Sequence, residues 1–202
     1  MAAPQIKHRY TGVEYKKAAG FTVNYNDVFV AKYFYRLLHE WLVDNGYGER
    51  DDSKWPEVFY LQKENPQTGK EIWLRWRLQK NPDISGSKMW RYDVDIDIHY
   101  LGLKETEVTH KGKKLKMDKG EVEVQVAAYL IIDYEKVWEG HKWLKHYKKF
   151  ILNKLMKNKQ EYYKNKLTGE MENFQDAMKE YLQLPKYGGV EFYEFYEKKL
   201  PE

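Results

Sequence analysis

Two periodicities divide the chain. Between residues 57 and 133 apolar positions alternate with polar ones, and on either side they recur at three- and four-residue steps. Strict alternation marks half-buried strands and the longer step marks helices. Residues 57–64 (EVFYLQKE) read as a first strand, closed by the turn sequence NPQTG. In residues 70–80, Ile72, Leu74, Trp76 and Leu78 alternate with Trp73, Arg75, Arg77 and Gln79. Residues 89–110 put Tyr92, Val94, Ile96, Ile98 and Tyr100 on one face, with Asp93, Asp95, Asp97 and His99 on the other. Residues 113–133 carry Val122, Val124, Val126, Ala128, Leu130 and Ile132 on one face. Short turns between such strands predict an antiparallel meander.

The last two strands form a long hairpin. A two-residue turn at Lys111-Gly112 would pair Val108 with Leu115, Glu107 with Lys116 and Thr106 with Met117. Carried further down, that register puts Asp97 opposite Val126 and mixes the faces. Matched faces, such as Ile96 against Ala128, require one extra residue. Gly102 and Gly120 lie where it would fit, so a β-bulge is expected there, bending the ribbon.

Helical periods flank the sheet. Asn24 or Asn26 can cap a helix over 24–46 that Gly46 ends. Its apolar residues cover more than half the circumference, and Lys32, Arg36, His39 and Glu40 form the polar stripe. After Asp133, a possible cap, a helical arm spans 134–184, with Val137, Leu144, Tyr147, Ile151, Leu155 and Tyr162 as its apolar stripe. Thr168-Gly169 should break this arm, and a second helix follows with Met171, Phe174, Met178, Tyr181 and Leu182 inward. Residues 1–20 read as a basic arm or a short edge strand, and 185–202 as an aromatic tail. The expected whole is a single α+β domain. Its antiparallel β-meander has four or more strands and a long bent hairpin, packed against an N-terminal helix and a long C-terminal helical segment.

Composition narrows the function. The chain has 202 residues and no cysteine, which excludes disulfides, thiolate metal sites and cysteine nucleophiles. The N-terminus shows no apolar signal region and no apolar run reaches membrane-spanning length, so a cytoplasmic protein is expected. Aromatic residues make up 16%, enough to exclude global disorder and to suggest interfaces beyond the core. The net charge of +4 is uneven: residues 135–167 hold ten lysines against Glu135, Glu139 and Glu161, leaving the rest mildly acidic.

Candidate chemistry is sparse. Asp93, Asp95 and Asp97 stand on one strand face about 6.6–6.8 Å apart, an arrangement that could present oxygens to a hard cation. Arg75 and Arg77 on the neighbouring strand offer a simpler partner, so these aspartates are expected to be structural, on a half-solvated face. His141 and His146 are five apart on a helical stretch and point to different sides, which does not suit a shared zinc. No nucleophile elbow, Walker loop or dinucleotide-binding glycine motif is present. No catalytic residue, metal ligand or cofactor site is therefore assigned.

Three functions remain. The first is a non-enzymatic interaction or self-assembly protein, with Phe192, Tyr193, Phe195 and Tyr196 of the tail as interface and a homo-oligomer or protein partner. The second is binding to nucleic acid, RNA in particular, along the Lys-rich helix 135–167 and the hairpin tip. Lys113, Lys114, Lys116, Lys145, Lys148, Lys149, Lys154 and Lys157 would be its contacts. The third is a ligand-binding or enzymatic pocket between sheet and long helix, lined by Trp76, Tyr92 and Trp143.

Overall fold

The computed structural model describes residues 14–82, 89–110, 113–136, 147 and 150–184, without the side chains of residues 52, 109, 110 and 113. Its centre is a five-stranded antiparallel sheet. The strands are β1 (Glu14–Phe29), β2 (Glu57–Asn65), β3 (Gly69–Lys80), β4 (Trp90–His110) and β5 (Lys113–Ile132), in spatial order β1-β5-β4-β3-β2. Two helices, α1 (Ala31–Asp44) and α2 (Lys157–Tyr181), complete the α+β architecture. They pack on the face carrying Leu74, Trp76, Tyr92, Val94, Ile96, Val122, Val124 and Leu130, all buried. The alternation in the sequence thus identifies the core face of the three central strands.

At its start the structure departs from the expected elements. Residues 24–29, expected as the first turns of the helix, instead finish β1, which pairs with β5 from Glu14↔Ile132 to Phe29↔Asp118. Thr22, Val23, Asn24, Tyr25, Asn26 and Asp27 are weak helix formers, and β5 offers them a ladder. Of the two readings for the chain's start, the edge strand holds for residues 14–20. Residues 1–13 lie outside the described residues. Helix α1 begins at Ala31 with no capping side chain of its own. The cap comes from the neighbouring strand β5, where Asp118 Oδ2 accepts from Ala31 N at 3.0 Å.

The hairpin carries a bulge where expected, but with the extra residue on β4, whereas pairing Ile96 with Ala128 would have put it on β5. Near the tip Val108 faces Leu115 and Glu107 faces Lys116, and the register shifts between Leu101 and Lys104. Below the shift Ile96 pairs with Val126, not Ala128, so the extra residue belongs to β4. Gly102 (φ 65°) supplies the left-handed backbone there. Gly69 (φ 92°) lies beside it on β3, where an added Cβ would sit 2.7 Å from Leu103 O.

The C-terminal segment also needs correction. Residues 134–136 form a turn, with Asp133 and Lys136 at positive φ, so Asp133 does not cap a helix at 135. Residues 151–155 form a π-helical turn, closed by Met156 N→Ile151 O at 2.9 Å. The expected break at Thr168-Gly169 is absent: α2 runs through it unbroken. Thr168 Oγ1 bonds back to Lys164 O at 3.0 Å, and Leu167, Met171, Phe174 and Met178 are buried on either side of Gly169. Burying each such side chain contributes about 1.5–3 kcal/mol, which outweighs the roughly 1 kcal/mol helix penalty of one glycine.

Candidate interaction surfaces

The acidic row lies on the sheet face opposite the helices. Arg75 stands across the ladder from Asp97, Arg77 from Asp95 and Gln79 from Asp93. Arg77 Nε lies 3.6 Å from Asp95 Oδ1, and Arg77 Nη1 lies 2.8 Å from Asp97 Oδ1. That nitrogen donates to the Trp76 and Ile96 carbonyls at 2.8 and 3.3 Å, so its contact with Asp97 is an ion pair rather than a hydrogen bond. Asp93 takes a fork from Arg91, its neighbour on the same strand, at 2.7 and 3.0 Å. Guanidinium groups therefore occupy the space a cation would need. Among the described residues, no three His, Asp or Glu side chains converge as a metal site. The row is not half-solvated, however, since Asp93 is 0% and Asp95 3% exposed. Burial and the nearby Asp95 charge hold the Tyr129 phenol above its usual pKa.

Next along this face, His99 Nε2 lies 3.0 Å from Glu71 Oε1 and stacks on Trp73 at 4.9 Å. Lys63 Nζ sits 5.2 Å from the Trp73 ring centre, and Arg75 lies over the Phe59 ring at the same distance. At the β1 side, Lys17, Gly20, Thr22, Gln125 and Ala127 line an open hollow of about 310 Å³. On the opposite, helix-covered face lie two of the three residues expected to line a pocket. Trp76 and Tyr92 are fully buried there, Trp76 against Tyr35 and Trp55, and Tyr92 through its hydroxyl to Tyr163 O at 2.8 Å. Trp143 lies outside the described residues.

The described lysines of the two basic regions lie apart. Lys114 and Lys116 are exposed at the hairpin tip, where Lys114 pairs with Glu107 at 3.4 Å. Lys154 and Lys157 are exposed at the start of the helical segment, just before Tyr163, which packs on Trp90. Trp90 opens β4 and Glu107 nears its end. The two groups are thus separated by most of that strand, on the order of 50 Å. Lys113 has no described side chain. Lys145, Lys148 and Lys149, both helical histidines (His141 and His146), and Phe192, Tyr193, Phe195 and Tyr196 lie outside the described residues.

Sequence reasoning passed over the β2 edge. β2 ends the sheet, and Val58, Phe59, Tyr60 and Leu61 are 61%, 39%, 54% and 38% exposed. The signal was four consecutive apolar residues, which gives a strand two apolar faces. Only strand order shows that neither face is covered. Comparison of the chain with protein-family models and with curated proteins finds no match.

Proposed function

We propose that this protein is a non-enzymatic assembly protein that binds a second copy of itself through the open edge of β2. The observation that supports this reading is the nine-residue edge strand Glu57–Asn65, exposed along almost its whole length and apolar at four consecutive positions. An edge of this kind templates further strand pairing, which natural proteins blunt with proline, charged side chains or bulges; on β2 the charges Glu57, Lys63 and Glu64 fall outside the apolar run Val58–Leu61. The only irregularity on β2 is the register shift between Glu57 and Phe59. Full antiparallel overlap of two such strands places Leu61 on a two-fold axis, Phe59 opposite Lys63 and Tyr60 opposite Gln62. No like charges face each other in that register, and Lys63 can lie over the partner copy's aromatic ring.

Light scattering on the purified chain tests the proposal. A dimer that dissociates on dilution is expected, and Leu61→Lys should give a monomer with an unchanged circular dichroism spectrum. An intact chain that stays monomeric at roughly 100 μM, where even weak specific interfaces are populated, overturns it.

A further inference from the structure

The helical segment that opens α2 has two apolar sides, and only one of them is spent on the core. Inward, Leu152 and Gln160 are buried, Met156 and Tyr163 pack against the core and Leu167 is fully enclosed. The inward side includes the π-turn, where Gln160 Nε2 donates to the Leu152 carbonyl at 2.6 Å. Outward, Tyr147, Phe150, Leu155 and Tyr162 are 57%, 57%, 71% and 63% exposed. Phe150 and Leu155 stand one π-turn apart, which brings them to the same side. Among the described residues from 150 to 166, Lys154, Lys157, Lys159 and Lys166 are exposed, against one exposed acid, Glu161.

We infer that this lysine-rimmed apolar face docks on an anionic lipid bilayer, lying in its interface. No helix among the described residues is long and apolar enough to cross a membrane, so the contact is superficial. The charge selects an anionic partner, since each exposed ammonium gains from lipid headgroups of opposite sign. The apolar side chains select a bilayer over a phosphate backbone. Leu155, the most exposed of them, cannot stack on a base, whereas it and Phe150 gain by entering the acyl boundary. Tyr147 and Tyr162 have an apolar ring and a polar tip, which suits the headgroup level, and lysine stems can lie along the apolar surface with their charges in water. The inference is independent of β2, which lies at the far edge of the sheet from β1, the strand on which α2 packs most extensively.

Co-sedimentation of the full chain with vesicles tests it. One set contains phosphatidylcholine alone and the other about 30% phosphatidylserine, as a mimic of an anionic leaflet. Binding to the anionic set, weakened by salt and reduced at least tenfold in the Phe150→Ser, Leu155→Ser double variant, is expected. The Lys154→Glu, Lys157→Glu pair should show the same loss, and it reads the same surface should the serine variant fold poorly. Leu115→Ser, an exposed apolar residue at the hairpin tip, should bind as the intact chain does. Equal binding to both vesicle sets, no binding, or a loss that Leu115→Ser shares would overturn the inference. So would an RNA gel shift abolished by the same two variants in a protein that ignores vesicles.

Discussion

Three buried tyrosines show how one hydroxyl can stabilise or burden the fold. Tyr47 Oη donates to Glu170 Oε2 at 2.7 Å, and Lys80 binds the same oxygen at 2.7 Å while lying over the Tyr47 ring. Tyr92 Oη donates to a backbone carbonyl, but Tyr100 Oη finds no hydrogen-bond partner among the described residues. Tyr47→Phe should therefore cost about 1.5–3 kcal/mol and Tyr92→Phe about 1 kcal/mol. Tyr100→Phe should leave the urea midpoint unchanged or raise it. Burial, more than any neighbouring charge, raises the pKa of all three phenols. The unfolded phenols ionise near about pH 10 while the folded ones stay protonated. This contribution to stability is complete below that pH and is lost as pH rises above it, so the urea midpoint should fall on going from about pH 9 to 11. Asp95 makes a related point. The sequence suggests a surface ion pair whose loss costs no more than about 1 kcal/mol. With Asp95 3% exposed beside Arg77, Asp95→Asn should instead cost roughly 2 kcal/mol by denaturant titration, because it removes one of the two carboxylates that balance the buried Arg77 guanidinium and leaves Asp97 as the other.

Among the elements, α2 differs most from its sequence signature. Thr168-Gly169 carries the local signature of a helix end, yet the helix continues because its buried stripe does. Nothing lies within 4 Å of a Cβ added at Gly169, and its backbone is ordinary helix. Gly169→Ala should thus raise stability by about 0.5–1 kcal/mol, whereas a true break would make the same change neutral or harmful. The expected stripe of Tyr147, Leu155 and Tyr162 proves to face outward. The stripe is outward both before the π-turn, at Tyr147, and after it, at Tyr162, whereas Leu152 and Met156, each one position past a residue of that stripe, are the ones that reach the core.

On the scale of the whole molecule, the described aromatic residues are divided between core and surface. Many fill the space between sheet and helices, as in the contacts of Phe29 with Phe34 and Tyr100, of Trp41 with Phe174 and of Trp90 with Tyr163. Among the described residues, others are exposed on the β2 edge, on the outer side of the helical segment and, at Tyr15, on β1. If two copies pair through β2, the melting temperature should rise with protein concentration, because association stabilises only the folded chain. Leu61→Lys should remove that dependence while leaving the dilute-limit melting temperature within a few degrees, as expected for an exposed position.

By itself the sequence determined the α+β class, the presence of a bulge near Gly102 and Gly120, and the core face of β3, β4 and β5. A period of two admits only two faces, and one of them is uniformly apolar in each of these strands. It also placed Arg75 and Arg77 beside the aspartates, since alternation puts both sets on the polar faces of neighbouring antiparallel strands. The tertiary structure decided what depends on distant neighbours. Residues 24–29 became strand because β5 was there to pair with them, and α1 took its cap from Asp118, 87 residues away. Asp93 and Asp95 were buried by their surroundings, although their own strand face reads as polar. The β2 run Val58–Leu61 fits a buried strand as well as an exposed one. Only its place at the end of the sheet leaves its hydrogen-bonding edge and both its faces open, because exposure is a property of the neighbours a strand lacks.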